Sequence, residues 1–525
     1  MRRLLPTLVL GLVLAACDWP WPLDNPLDPN RCSPACSGGS TCLNGRCVTP
    51  ALDAGPDARR VDAPRADAPW PDLPPDLPLP EQRPDLLPDL PLADLPPDLP
   101  KPVCGNGVRE HGEDCDKTDL GSQTCKSAGF TDGTLACASG CKLDTSGCYL
   151  VSYTARALVT QAGEQTSPAI ASDGTDFLVV WEYRPTTTSK RQIHGVRIDS
   201  SGKMLDTTSI TIADQIGERA NPAVAYSASG KVYLVTWEDN RLGSSGQYRA
   251  FGARVSPAGK VLDAHGKALS NVTSEQTETS VASNGTDFFV VWADDRNALD
   301  GLDIYGTKIY STSVTPATSD IAVVNAGLPQ RSPAVGYNGT HYLVVWESMT
   351  SLISGTYDVR GARISSTSTV TPLTRTPLAS GTLSQRYPSV ASDGTSFLVL
   401  WQEVVKANQS NIWGNLINAS GAVVLSKNIP LLSAGYVWPH QPGVYNGTSY
   451  DVLWAVRPTA SAAGINGARL TKSGGLLIPP PMDLFKGGAT IQSDLAAASN
   501  GSTTTVVWNG NHSGTLLKLY VAGLK

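Results

Sequence analysis

One phrase returns through the C-terminal part of the chain. "ASDGTDFLVVWEY", from Ala171 to Tyr183, is followed by "ASNGTDFFVVWAD" from Ala282, "GYNGTHYLVVWES" from Gly336 and "ASDGTSFLVLWQE" from Ala391. The tryptophan near its end falls at Trp181, Trp237, Trp292, Trp346, Trp401, Trp454 and Trp508, at spacings of 56, 55, 54, 55, 53 and 54 residues. A repeat of that length, rich in short apolar runs, has the period of propeller blades. The expected fold class is therefore all-β, with a seven-bladed β-propeller over residues 149–525.

One unit reads as four strands. "SPAIAS" is small-sided, as suits the crowded strand beside the axis, and "DG" or "NG" supplies the positive φ of a tight hairpin turn. "DFLVVW" is apolar on both faces, as a strand sandwiched between blades should be. The third strand appears as "IHGVRI", "AFGARV", "IYGTKI", "VRGARI", "IWGNLI" and "INGARL", with Gly195, Gly252, Gly306, Gly361, Gly414 and Gly467 at the point where backbones must pack closely. An outer strand follows a second tight turn. In such a unit the repeated tryptophans serve blade packing rather than sugar stacking.

The ends of the array predict how it closes. After Trp508 the chain reaches "LYVAGL", a third strand, and supplies no fourth; before the first unit, residues 151–163 match the outer strand that precedes the second. Pairing that N-terminal segment with the last blade closes the ring and removes the edges that an open stack would expose. The loops after the second strands and between blades are long and variable, and they must share one side of the ring, the natural place for ligand contact.

On that side "WEDNR" and "WADDR" place Asp239 with Arg241 and Asp294 with Arg296 just beyond the repeated tryptophan. Two readings apply: contact with a polar ligand, or a local tie by ion pairs and turn hydrogen bonds. The stretch "DDRNALDGLD" offers carboxylates to calcium but does not follow EF-hand spacing, so neither a metal site nor a cofactor is assigned. Catalytic motifs are lacking: there is no H-E-x-x-H, no G-x-S-x-G and no glycine-rich phosphate loop opening a helix. The mild net charge of −6 gives no basic footprint for nucleic acid.

The N-terminal segments speak of location. "MRRLLPTLVLGLVLAAC" joins two arginines to an apolar run too short to span a bilayer and small residues before Cys17, the build of an export signal. Leu14-Ala15-Ala16-Cys17 resembles the lipobox of bacterial lipoproteins. The resemblance implies cleavage of residues 1–16, lipid attachment at Cys17 and a partner in the membrane. It also implies a place in the cell envelope, at the outer membrane or surface; Asp18 would instead suit retention at the inner membrane. Residues 17–31 form a tether, and 49–103 repeat "PDLP", a proline pattern that excludes helix and sheet and favours a polyproline II-like stalk of at most about 170 Å.

Setting Cys17 aside, ten cysteines fall into two even groups. Cys32, Cys36, Cys42 and Cys47 lie in residues 32–48, and Cys104, Cys115, Cys125, Cys137, Cys141 and Cys148 in residues 104–148. Export and even counts predict disulfides within each group rather than zinc. "CSPACSGGSTCLNGRC" resembles the opening of an EGF-like module, although the later cysteines of such a module are missing. "CGNGVREHGEDCD", continuing to Cys148, resembles the cysteine-rich repeat of myxobacterial surface proteins and implies a surface protein without implying an activity. The functional expectation is a lipid-anchored protein that displays a propeller for binding or adhesion, its loop face meeting a protein or carbohydrate. The alternative is an exported propeller enzyme acting on glycans, sialidase- or lyase-like, which requires acids gathered around the axis.

Overall fold

The computed structural model describes residues 41–43, 46–48 and, apart from short loop segments, 103–525. Cys17, Cys32, Cys36, the signal segment and the "PDLP" stalk lie outside the described residues. Two compact units divide the chain, one containing residues 13–101 and the other residues 102–525. In the first, Thr41–Leu43 pairs with Arg46–Val48 and sets Cys42 opposite Cys47.

In the second unit seven antiparallel sheets follow one another, each essentially four strands deep, and among the described residues there is no helix. The protein is a seven-bladed β-propeller. Its innermost strands are Glu164–Ser172, Arg219–Ser227, Gln276–Ser283, Gln330–Tyr337, Ser384–Ser392, Gly443–Tyr445 and Thr490–Ser499. Each packs against the next, and the seventh packs against the first. Blade 6 has the shortest inner strand because "WPHQP" precedes it, and neither Pro439 nor Pro442 has an N–H to donate to a ladder.

The second strands form the core. In blade 1, Phe177, Leu178, Val179, Val180 and Trp181 are all fully buried, so both faces of the strand meet neighbouring blades. The seven repeated tryptophans are buried as well. The third-strand glycines lie where the outer segment crosses closely. A Cβ on Gly361 would stand 2.9 Å from Leu373 Cδ1, and one on Gly306 2.8 Å from the Val290 carbonyl oxygen, closer than side chains tolerate. The outer strand of blade 5 carries the exposed Pro430, which interrupts its edge against pairing with another chain.

Six blades share one turn between the first two strands. In blade 1, Gly174 takes φ 98°, and the Asp173 carboxylate accepts the N–H groups of Thr175 and Asp176. Asparagine does the same at Asn284, Asn338, Asn446 and Asn500, which is why "DG" and "NG" interchange in the repeat.

The ring closes as its ends predict. Val151–Ala157 is the outer strand of blade 7, with Tyr520 opposite Ala157, Val521 opposite Arg156 and Leu524 opposite Val151. The Leu158 N–H then bonds to the Leu519 carbonyl, and Lys518 Nζ donates to the carbonyls of Gln161 and Gly163. Because the closing strand runs antiparallel to the third strand, the chain enters the propeller on the side of the tight turns, opposite the variable loops.

Immediately before it, three disulfides hold residues 104–148: Cys104 to Cys141, Cys115 to Cys137 and Cys125 to Cys148. At the centre of this module Asp116 accepts the N–H groups of Gly105, Asn106 and Gly107 at 2.6, 3.1 and 2.9 Å. The "CGNG" segment is thus wrapped around a carboxylate supplied from "EDCD". Burial alone would raise the pKa of Asp116, but the three backbone donors hold it below the ordinary aspartate value.

Candidate functional site

The variable loops occupy one side of the ring. Their tips carry exposed apolar residues: Ile216 between blades 1 and 2, Leu242 beyond Trp237, and the adjacent Leu352 and Ile353, the last 99% exposed. Just beneath lie the four residues of "WEDNR" and "WADDR". Asp239 and Asp294 are fully buried. Asp239 accepts the indole N–H of Trp237 at 3.0 Å and the backbone N–H and guanidinium of Arg241, and it forms a buried ion pair with Arg219. Asp294 repeats the pattern with Trp292 and Arg296, while Arg296 also reaches Asp320 at 2.8 Å and lies over the Tyr305 ring. These contacts tie loop to blade, and they leave only the partly exposed arginine faces toward solvent.

A second set of polar residues surrounds the axis on the same side, and it depends on a repeated bulge. Five inner strands contain a residue other than glycine in the left-handed region, Ser167, Asn221, Glu278, Ser332 and Tyr387, and His440 takes the same conformation just before the inner strand of blade 6, with φ between 49 and 80°. Where the first five stand, and again in blade 7, the ladder skips residues on the inner strand. Such a bulge turns one N–H away from its own sheet, and an acid from the preceding blade accepts it. The residue after the tryptophan supplies that acid: Glu182 holds the Asn221 N–H at 2.7 Å, Glu238 holds that of Glu278 at 2.6 Å, and Glu347 holds that of Tyr387 at 2.7 Å. In blade 7, where Asn509 follows the tryptophan, Asp494 of the inner strand holds the Ser167 N–H at 3.1 Å and accepts Asn509 Nδ2. In blade 5 the corresponding residue is Gln402, which donates to the Trp438 carbonyl and to Gln441 Oε1.

Blade 3 departs from this pattern. Ala293 follows Trp292, and Glu278, the bulge residue itself, reaches forward to hold the Ser332 N–H at 2.7 Å. Glu182, Glu238, Glu347 and Asp494 are at least nine-tenths buried, whereas Glu278 is half-buried. Burial pushes the Glu278 carboxyl up to about 7, with Glu347 and Glu238 adding repulsion. Burial also raises that of Glu347, against the pull of Arg386, whose Nε lies 2.6 Å away. Arg386 stacks over Tyr357 and Tyr387, and Tyr387 meets the His440 ring edge-on at 5.7 Å.

These axial acids escape a reading of single motifs. For Glu182, Glu238 and Glu347 the signal is the column after the tryptophan, "E, E, A, E, Q, A, N", whereas Glu278 and Asp494 stand on inner strands, and the bulge N–H that each acid serves belongs to the next blade. For metals, one cluster appears among the described residues, Cys104, Glu113 and Cys141, and its two cysteines are bonded to each other. In the "DDRNALDGLD" stretch the carboxylates are engaged separately: Asp295 accepts the Glu275 N–H, and Asp303 accepts Ala326 N–H and Asn297 Nδ2.

No protein-family model matches the chain, and no curated protein matches it. Among solved structures, it resembles a protein of unknown function from Dyadobacter fermentans at 11% identity and a TM-score of 0.44, covering 71% of this chain and 99% of that one. The β-propeller domain of the Trilobed protease from Pyrococcus furiosus is similar at 10% identity and a TM-score of 0.42, over 69% and 94% of the two chains. An α-L-arabinofuranosidase from Podospora anserina is similar at 11% identity and a TM-score of 0.30, over 47% and 88%.

Proposed function

We propose that this is a lipid-anchored cell-envelope protein that presents a rigid propeller as a binding platform, its variable-loop side meeting a protein or carbohydrate. The observation that carries this reading is the opposition of the two sides of the ring. The chain enters blade 7 from the tight-turn side, so the loops with their exposed tips lie on the side of the ring opposite the start of Val151–Ala157. The burial of four of the five axial acids favours binding over hydrolysis, because each acid holds a backbone N–H of the neighbouring blade. Labelling with a palmitate analogue tests the anchor: wild type is expected to take label and Cys17→Ser to take none, and equal labelling removes the anchor from the reading. For the platform, immobilised mature protein is screened against envelope polysaccharides and surface proteins. Replacing Leu352 and Ile353 by serine is expected to weaken what binds, and changes at the opposite turns, such as Thr175→Ala, are expected to leave it unchanged.

A second reading, a glycan-acting enzyme, is favoured by one residue. Glu278 is a half-buried axial carboxyl held near neutrality, the state a general acid requires. Release of reducing ends from a polysaccharide panel, lost in Glu278→Gln while the fold is kept, would support it over the platform.

A further inference from the structure

Blade 3, like blade 7, supplies its junction acid from the inner strand, and it is the one whose acid meets other carboxylates on both sides. At the junctions that follow blades 1, 2 and 4, the acid comes from the second strand. With Ala293 at that position, the acid moves to the inner strand, and Glu278 comes to lie between two other carboxylates. Glu238 Oε1 holds the backbone N–H of Glu278 at 2.6 Å. On the other side, Ser332 gives its N–H to Glu278 and its hydroxyl to Glu347. The charged and titratable groups facing Glu278 are Glu238 from blade 2, Arg331 and Glu347 from blade 4, and Tyr387 from blade 5. Arg386 is paired with Glu347, Arg331 is the cation whose charge acts on Glu278, and its buried Nε makes no hydrogen bond among the described residues.

We propose that the junction between blades 3 and 4 is a proton-sensitive seam, held closed when Glu278 is protonated and loosened when it is charged. Protonated, the carboxyl still accepts the Ser332 N–H through its carbonyl oxygen and adds no charge to the row. Deprotonated, it puts a third negative charge beside Glu238 and Glu347 in a desolvated place, with one arginine to oppose it. The step is a simple acid–base exchange with water. Burial of the carboxyl places that exchange in the neutral range. The sign follows: between the ordinary glutamate pKa and about 7 the folded protein binds more protons than the unfolded chain, so stability falls as pH rises through that window. The seam uses the same carboxyl as the second reading, and its test measures opening of the ring rather than turnover, so the two fail separately.

The test is denaturant unfolding of the mature chain at several pH values from 5 to 8, with amide exchange followed in Gln330–Tyr337. For wild type, the unfolding constant measured relative to Glu278→Gln is expected to rise on the order of tenfold to a hundredfold across the window, and exchange in the blade 4 inner strand is expected to quicken. The variant Glu278→Ser places in blade 3 the residue that blade 4 carries at its own bulge, Ser332, and removes the titrating carboxyl. It is expected to lose the pH dependence and keep the fold, so the test stands even where Glu278→Gln folds poorly. Parallel pH profiles for wild type and the folded variants would overturn the seam.

Discussion

Asn221 gives its backbone N–H to Glu182 across the junction of blades 1 and 2, at 2.7 Å. The same acid accepts the Thr166 hydroxyl and pairs with Arg191, so one carboxylate joins two blades and a loop. Removing it leaves a buried donor unmet. Glu182→Ala is expected to cost about 1–3 kcal/mol, and Glu182→Gln, which keeps an acceptor, clearly less. Denaturant midpoints of the two variants check this, and equal losses would count against the staple.

Ring closure gives a second comparison. A chain starting at Tyr149 keeps the outer strand of blade 7, and one starting at Glu164 exposes the hydrogen-bonding edge of Lys518–Leu524. The first is expected to be a cooperatively folding monomer, the second less stable and self-associating. Thermal unfolding and size-exclusion chromatography distinguish them, and identical behaviour would reject closure by Val151–Ala157.

For the third strands, Gly306→Ala sets a methyl group 2.8 Å from the Val290 carbonyl oxygen, where backbone must move. The expected loss is about 1–3 kcal/mol. Gly105→Ala, which has open space at its Cβ but a φ of 95°, is expected to harm the disulfide module through its backbone alone. Melting curves of the two variants report on different regions of the chain.

His194 supplies a pH effect opposite to that of Glu278. Its ring lies within hydrogen-bonding distance of Ser209 and Gln192 and packs 4.5 Å from Tyr183, and burial pushes its pKa down to about 4. The unfolded chain therefore binds more protons between about 4 and 6.5, and the stability contributed by neutral His194 is lost as pH falls through that window. His194→Gln is expected to flatten the acid limb of the stability profile. An unchanged limb would show that the ring is protonated in the fold.

The blades were legible because their apolar runs repeat with a tryptophan at nearly constant spacing, and the closing strand because residues 151–163 match what precedes the second blade. Disulfides confined to 104–148 followed from an even count. The bulges were not legible: Ser167, Asn221, Glu278 and Tyr387 share no chemistry, and what they share is a backbone angle. Asp239 and Asp294 were visible as a motif, but only the fold shows that the indole N–H groups of Trp237 and Trp292 turn to them. The exchange of Ala293 for Glu278 was hidden for another reason. It trades a side chain on one strand for a side chain on the next, and it becomes meaningful only when the strands are side by side.

The strand that completes blade 7 is also the one that joins the ring to the cysteine-rich module, with Cys148 three residues before Val151. A pull from that end is transmitted through the cysteine-rich module, whose crosslinks between Cys104 and Cys148 leave little slack. It then acts along the length of Val151–Ala157, parallel to its partner strand. Bonds loaded in this direction share the strain, whereas bonds pulled sideways would give way in turn. The ring is therefore fastened in a geometry suited to load along the closing strand, where the bonds between Val151–Ala157 and Lys518–Leu524 must give way together rather than one by one.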